Sequence, residues 1–143
     1  MEFIDEALLH YAEQHSQAEP ELLAKLNRET HLKVMQPRML SGHLQGRLLS
    51  MLSKLAQPKT ILEVGTYTGY SALCLAEGLQ KDGVLHTIDN NDERIPLLQR
   101  YFEEAGETER INIHTGNALD IIPGIDGSFD LVFIDADKHN YLN

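Results

Sequence analysis

Carboxylates lie at the ends of apolar runs in the second half of this sequence. Glu63 is near the end of the first run, Asp89 ends the second, and Asp135 follows the last. If the runs are parallel strands, their carboxyl ends meet at one edge of a sheet, where open α/β sheets bind their ligands. Negative charges gathered at one site favour a cationic ligand. We therefore expect these three residues to share a binding site.

Residues 63–71 combine the end of a strand, a turn with two glycines and the start of a helix. Glycine lets the backbone of such a turn approach a ligand closely. The turn does not match the dinucleotide motif G-x-G-x-x-G, because Tyr67 stands where the second glycine would be. The charge of Glu63 would also oppose a pyrophosphate. Asp89 ends the next run, where an acidic residue typically accepts hydrogen bonds from ribose hydroxyls. A cation together with a ribose indicates S-adenosylmethionine.

The elements that must position these residues alternate along the chain after residue 58. Short apolar runs predict strands at 61–64, 84–88, 111–113 and 131–134, and helical patterns lie between them at 70–80 and 93–105. This alternation predicts right-handed crossovers and a parallel sheet, which is a doubly wound α/β fold.

The first forty residues predict helices. Ser16 to Glu19, followed by Pro20, predicts a capping box at the start of a second helix, and residues 31–40 read as a connector. Ser41 is predicted to cap a third helix. We interpret an apolar stripe on that helix as core, namely Leu44, Leu48, Met51, Leu52 and Leu55. We therefore divide the chain into an N-terminal helical segment, 1–40, and a ligand-binding α/β domain, 41–143.

Composition excludes some partners. The chain has 143 residues, with 12 Lys and Arg against 22 Asp and Glu and a formal net charge of −10. This acidic balance argues against nucleic acid and anionic membranes, which bind clustered basic residues. Cys74 is the one cysteine, and there is neither a signal sequence nor an apolar run of about 18 residues. We expect a cytoplasmic globular protein.

From about Met39 to Asn143, the sequence resembles the S-adenosylmethionine-dependent O-methyltransferases of the caffeoyl-CoA and catechol type, bacterial members included. The likeness is carried by residues 63–71, 88–89, 116–119 and 129–141. The resemblance implies a Rossmann-like class I methyltransferase fold with seven strands in the order 3-2-1-4-5-7-6. Only the first four strands are predicted here, in the order 3-2-1-4. We therefore expect a domain incomplete at its C-terminus, the N-terminal part of a longer methyltransferase.

The resemblance also implies roles in cofactor binding. Gly65 and its turn would hold the methionine part of S-adenosylmethionine, with Glu63 and Ser71 near its amino and carboxylate groups. Asp89 would bind the ribose, and Ala118 would lie along the adenine.

Further roles implied by the resemblance concern closure and catalysis. Tyr67 would pack near the sulfonium through a cation–π contact. Met39 and Ser41 match positions that close over the cofactor. Asp135 matches the first ligand of a divalent cation, Mg²⁺, Mn²⁺ or Ca²⁺, beside the cofactor and the reacting groups. Lys138 matches the position of the general base.

The reaction implied is methyl transfer from S-adenosylmethionine to a hydroxyl of a small catechol-like or phenolic acceptor, metal-assisted in the full-length protein, in a homodimer. One alternative is a cofactor-binding but inactive fragment or interaction module. A second alternative is a nicotinamide-dependent oxidoreductase, which the missing glycine and the charge of Glu63 disfavour.

Overall fold

The computed structural model describes residues 4–136 and 138 of the chain. The described strands form one parallel sheet in the order β3-β2-β1-β4, which confirms the predicted order. They are β1 (Thr60–Val64), β2 (Val84–Asp89), β3 (Ile111–Thr115) and β4 (Leu131–Ile134). Three of the predicted strands are longer by one or two residues, because pairing with the neighbouring strand continues beyond the apolar run.

Helices precede the sheet and connect its strands. They are α1 (Glu6–Gln14), α2 (Glu21–Lys33), α3 (Gly42–Ala56), α4 (Tyr70–Ala76), α5 (Ile95–Glu104) and α6 (Ala118–Ile121), with 3₁₀ turns at Pro37–Met39 and Ile122–Gly124. Within the described part of the chain, no helix has the length and apolar character needed to cross a membrane.

One face of the sheet carries the hydrophobic core. Ile61, Leu85 and Ile111 lie in register on three neighbouring strands, and each is at most 4% exposed. Side chains from α2, α3, α4 and α5 pack against this face. Alternate positions of a strand point to the opposite face of the sheet. There, Val132 and Ile134 of β4 are about half exposed. The helices thus cover the face that also carries Glu63, two positions beyond Ile61.

The predicted capping box is wrong. Ser16 donates its hydroxyl hydrogen to the carbonyl of Ala12 rather than to a following backbone N–H. The carboxylate of Glu19 instead accepts a hydrogen bond of 2.6 Å from the hydroxyl of Tyr70. Helix α2 begins after Pro20, without a side-chain cap, and continues to Lys33, into the predicted connector. Glu19, which the local cap would need, therefore makes a tertiary contact instead. Ser41 does precede α3, but it too makes no side-chain cap bond.

The apolar stripe on α3 is also not core, as it was interpreted to be. Leu48, Met51, Leu52 and Leu55 are between 45% and 77% exposed, and Leu44 is only partly buried. Apart from Leu49, the buried side of the helix is instead small or polar, consisting of Gly46, Arg47, Ser50 and Ser53.

Close contact between α3 and the end of α4 explains this reversal. A Cβ atom on Gly78 would lie 2.2 Å from the carbonyl carbon of Ser53, so glycine is required there. The guanidinium of Arg47 pairs with the carboxylate of Glu77 at 2.7 Å, and Ser50 donates to the same carboxylate at 2.6 Å. Paired polar groups can be buried at little cost, and the small residues let the helices touch.

A carboxylate on α2 ties the N-terminal helices to α5. Glu29 accepts hydrogen bonds of 2.6 Å from the hydroxyl of Tyr101 and from the guanidinium of Arg100, and it also pairs with Lys33. The Tyr101 hydrogen bond, followed by that of Arg100, lowers the pKa of Glu29 from 4.5 to about 2. A lowered pKa means that the charged form is the one that stabilises the folded state.

We expect Glu29→Gln to lower the free energy of unfolding by about 2 kcal/mol at pH 7, the scale of hydrogen bonds to a charged group. Because the pKa of Glu29 is about 2 when folded and near 4.5 when unfolded, the deficit should be complete above pH 4.5 and shrink as the pH falls towards 2. Urea unfolding across this range measures it. Glu104→Gln is the matched control, since its exposed pair with Lys25 also joins α2 to α5 and should contribute under about 1 kcal/mol. Equal losses in the two variants would contradict the special role of Glu29.

Candidate functional site

Backbone hydrogen bonds join the carboxyl ends of β1, β2 and β4. The N–H of Gly65 donates to the carbonyl of Ile88 at 2.8 Å, and the N–H of Asp135 donates to the carbonyl of Val64 at 2.9 Å. The turn that follows β1 is therefore held between the ends of its two neighbouring strands. This confirms that the predicted carboxylates approach one edge of the sheet.

The turn between β1 and α4 depends on both of its glycines. Gly65 has φ +108° and Gly69 has φ +87°, in the region that favours glycine. A Cβ atom on Gly65 would lie 2.5 Å from the carbonyl oxygen of Asp135, and one on Gly69 would lie 2.8 Å from the ring of Phe102. The turn is thus pressed against β4 on one side and against α5 on the other.

A buried carboxylate lies beneath this turn. Glu63 is fully buried, and its oxygens accept hydrogen bonds from the hydroxyl of Ser71 and, at 2.6 Å, from that of Thr87. The Thr87 hydroxyl is also 2.6 Å from that of Thr66. Burial raises the pKa of Glu63 from 4.5 to about 7, against the lowering effect of these hydroxyls. The threonines were missed from the sequence, because only the pairing of β1 with β2 brings them to Glu63.

The carboxylate of Asp89 organises the neighbouring loop. Its Oδ2 accepts the N–H of Tyr67 at 2.8 Å, and its Oδ1 accepts the N–H of Asn91 at 3.0 Å. The guanidinium of Arg94 lies 3.9 Å from Oδ2. A carboxylate offers about four acceptor positions, so Asp89 can still accept hydrogen bonds from two ribose hydroxyls.

Tyr67 has a left-handed backbone, with φ +51°, although it is not glycine. Its ring lies beneath the guanidinium of Arg94, with 4.7 Å from Cζ to the ring centroid. Its hydroxyl donates to the carbonyls of Met35, at 3.1 Å, and Gln36, at 2.9 Å. The cation over this ring is that of Arg94, which was missed from the sequence. The contact of Tyr67 with a sulfonium stays a prediction.

The other predicted site residues lie after β3, before α3 and after β4. Gly116 donates its N–H to the carbonyl of Asp89 at 2.9 Å, which places Ala118, two residues later, beside the end of β2. Met39 ends the 3₁₀ turn at Pro37–Met39 and is 56% exposed, and Ser41 immediately precedes α3. Lys138 is exposed. Of the 129–141 stretch, Asp137 and residues 139–141 lie outside the described residues.

The arrangement matches one protein family along most of the chain. The sequence model of the O-methyltransferase family matches residues 13–143. The chain belongs to the O-methyltransferase family. The chain is 42% identical over 101 residues to a catechol O-methyltransferase of Niastella koreensis, a match that covers 68% of the chain and 46% of the relative. It is 40% identical over 131 residues to caffeoyl-CoA O-methyltransferase 1 of Zea mays, covering 87% of the chain and 50% of the relative.

The structural comparison agrees with the sequence comparison. The chain matches the SAH-bound methyltransferase PaMTH1 of Podospora anserina with a TM-score of 0.89 and 29% identity, over 99% of the chain and 62% of that structure. The Rossmann-like methyltransferase fold is thereby confirmed. The chain spans about half the length of the curated relatives it matches.

A divalent cation was predicted at Asp135. Mg²⁺ and Ca²⁺ take six or more oxygen ligands, several of them from carboxylates or carbonyls. Residues 4–136 and 138 contain no group of three or more His, Cys, Asp or Glu side chains that could hold a metal ion. Asp135 alone therefore does not fit such a site.

Proposed function

We propose that this chain binds S-adenosylmethionine and that the protein transfers its methyl group to a hydroxyl of a small catechol-like or phenolic acceptor. The observation that carries the proposal is the meeting of Glu63, the Gly65 turn, Asp89 and Asp135 at one sheet edge. Membership of the O-methyltransferase family supports it. The names of the relatives, catechol and caffeoyl-CoA O-methyltransferase, support the acceptor class, and the SAH in PaMTH1 supports the cofactor.

The residues at the edge suit this chemistry. The turn at Gly65, held at the ends of β2 and β4, would contact the methionine part through its backbone, and Asp89 would accept the ribose hydroxyls. Carboxylates around the site attract a sulfonium cofactor more strongly than the neutral thioether product, which favours exchange of product for substrate. During transfer, the bond between the acceptor oxygen and the methyl carbon forms as the carbon–sulfur bond breaks. We assign the acceptance of the acceptor's hydroxyl proton to Lys138 in its neutral amine form; the resulting ammonium then passes the proton to solvent, to which Lys138 is exposed.

Homodimer formation is part of the proposal. No residue of α1 is buried, and Ile4, Leu8 and Tyr11 are each more than 60% exposed. A second copy would cover this apolar surface at the N-terminal helices. Light scattering of the purified chain tests it, and a monomer at micromolar concentration would contradict it. Metal assistance, a cytoplasmic location and the lack of nucleic-acid or membrane partners stay predictions.

Calorimetry with S-adenosylhomocysteine tests cofactor binding, and methyl transfer to catechol tests activity. Binding without transfer would favour the cofactor-binding but inactive alternative. Tighter binding of NAD than of S-adenosylhomocysteine would contradict the proposal and favour a nicotinamide-dependent enzyme.

We expect Asp89→Asn to weaken S-adenosylhomocysteine binding about tenfold, because an amide offers one accepting oxygen instead of two to the ribose hydroxyls and the Tyr67 N–H. Titration calorimetry measures the change. Asp92→Asn is the matched control in the same loop, since it removes an equal charge from a residue that makes no predicted cofactor contact. Equal weakening by both variants would indicate a general charge effect and contradict a ribose contact.

A further inference from the structure

Residues 34–40 form an exposed strap between α2 and α3. Met35 is 83% exposed and Met39 is 56% exposed. Gln36 has φ +57°, and the following 3₁₀ turn, Pro37–Met39, is closed by backbone bonds within the strap, from Met39 to Gln36 and from Leu40 to Pro37. Leu40 packs against the hydrophobic core at one end of the strap, but the exposed residues before it have little packing of their own to fix their position.

The hydroxyl of Tyr67 reaches this strap from the middle of the turn after β1. It donates to two successive strap carbonyls, those of Met35 at 3.1 Å and Gln36 at 2.9 Å. Met35 and Gln36 lie 32 and 31 residues before Tyr67 in the sequence, so these are long-range contacts. The strap that carries Met39 is thereby attached to the turn proposed to hold the methionine part of the cofactor.

Tyr67 is itself fixed from two other directions. Its N–H bonds to Asp89 at 2.8 Å, and Arg94 covers its ring at 4.7 Å. A left-handed backbone is unfavourable for a residue with a Cβ atom by roughly 1–2 kcal/mol, and such strain persists only where the surroundings hold it. Strained residues cluster at ligand clamps and switch regions. The strained backbone therefore indicates a functional role for the contacts of the Tyr67 side chain.

We propose that Tyr67 is a positioning residue whose hydroxyl holds the strap of residues 34–40 against the cofactor turn and so slows release of the cofactor. The backbone of Tyr67 contacts Asp89, the proposed ribose ligand, and its hydroxyl contacts the strap. Opening the strap therefore requires breaking the hydrogen bond that the single O–H of Tyr67 shares between the two strap carbonyls. The effect on cofactor release rests on the proposed function, whereas the attachment of the strap does not.

Tyr67→Phe tests the proposal, because it keeps the ring beneath Arg94 and the backbone N–H but removes the hydroxyl. Tyr70→Phe is the matched control, since the hydroxyl of Tyr70 also bonds to an N-terminal residue, Glu19, at 2.6 Å, and not to the strap. Hydrogen exchange of the cofactor-free chain reports on the amides of Met39 and Leu40, with the β1 amides as an internal reference for global stability. Stopped-flow displacement measures the dissociation rate of S-adenosylhomocysteine.

We expect Tyr67→Phe to speed exchange at Met39 and Leu40 and to raise the dissociation rate of S-adenosylhomocysteine about tenfold, the equivalent of one ordinary hydrogen bond. Tyr70→Phe should change neither relative to the β1 reference. Unchanged strap exchange in Tyr67→Phe would overturn the attachment. Faster exchange with an unchanged dissociation rate would overturn the role in cofactor release. If the unsubstituted chain bound no S-adenosylhomocysteine, the proposed function would fail, while the exchange measurement would still decide whether Tyr67 holds the strap.

Discussion

Gly65→Ala is expected to weaken S-adenosylhomocysteine binding by at least about 100-fold and to destabilise the fold by about 3 kcal/mol. The added Cβ atom would lie 2.5 Å from the carbonyl oxygen of Asp135 and 2.9 Å from its carbonyl carbon. Both are backbone atoms, so the clash cannot be relieved by a side-chain rotation. The end of β4 must move away, and with it the hydrogen bond from Asp135 to Val64. Calorimetry and urea unfolding measure the two effects.

Two other glycines separate the clash from the backbone strain. Gly106 has φ +72°, but a Cβ atom added there would meet nothing within 4 Å, so Gly106→Ala should lose about 1 kcal/mol from conformation alone. Gly124 also has open space and no left-handed φ, so Gly124→Ala should be close to neutral. Neither should affect cofactor binding. If Gly65→Ala lost no more stability than Gly106→Ala, close approach to β4 would not be the reason for glycine at position 65.

The sheet could be predicted because its signals are local and strong. Four apolar runs, separated by helical patterns, leave few topologies once crossovers must be right-handed. The order of strands then places Glu63, Gly65, Asp89 and Asp135 at one edge, as the structure has them. The role of Gly65 and Gly69 was predictable from the same local signals. A turn that leads from a strand into a helix at a ligand site needs a close backbone approach, which glycine allows.

Helix faces and hydrogen-bond partners could not be predicted in the same way. The apolar stripe on α3 indicates core by its spacing, but Gly78 and the Arg47–Glu77 pair direct the small polar face towards α4 instead. The capping box predicted at Ser16 does not form, because Glu19 instead accepts a hydrogen bond from Tyr70, a residue far along the chain. Both errors arise because a tertiary partner outweighs a local preference of about 1 kcal/mol.

The same limit applies within the site. Thr66 and Thr87 carry no motif, and they matter only because β1 and β2 pair in a register that brings Thr87 opposite Glu63. From the sequence, the carboxylate of Glu63 was predicted to attract a cationic ligand. The structure adds that this carboxylate is fully buried, so its charge depends on pH and on what binds nearby.

The free energy of unfolding of Glu63→Gln, minus that of the unsubstituted chain, is expected to rise between pH 4.5 and pH 7 and to stay constant above pH 7. The pKa of Glu63 is raised to about 7 in the folded state, mainly by burial, against 4.5 when unfolded. Below pH 4.5 the carboxyl is protonated in both states and contributes no pH dependence. As the pH rises from 4.5 to 7 only the unfolded state ionises readily, so the unsubstituted protein loses about 3 kcal/mol, and above pH 7 the loss is constant. Glutamine has the same shape and no charge, so it escapes this loss.

The measurement is the difference in unfolding free energy between Glu63→Gln and the unsubstituted chain, from urea titrations between pH 4.5 and 8. Glu63→Leu separates charge from hydrogen bonding. Leucine removes the same titrating group, so the unfolding free energy of Glu63→Leu, relative to the unsubstituted chain, should rise with pH in parallel with that of Glu63→Gln. Leucine also leaves the hydroxyls of Ser71 and Thr87 without their acceptor. The unfolding free energy of Glu63→Leu should therefore be lower than that of Glu63→Gln at every pH, by roughly 1–3 kcal/mol for each buried group. A difference that is flat with pH for both variants would mean that Glu63 ionises as readily in the folded protein as in water, and burial beneath the turn would not control its charge.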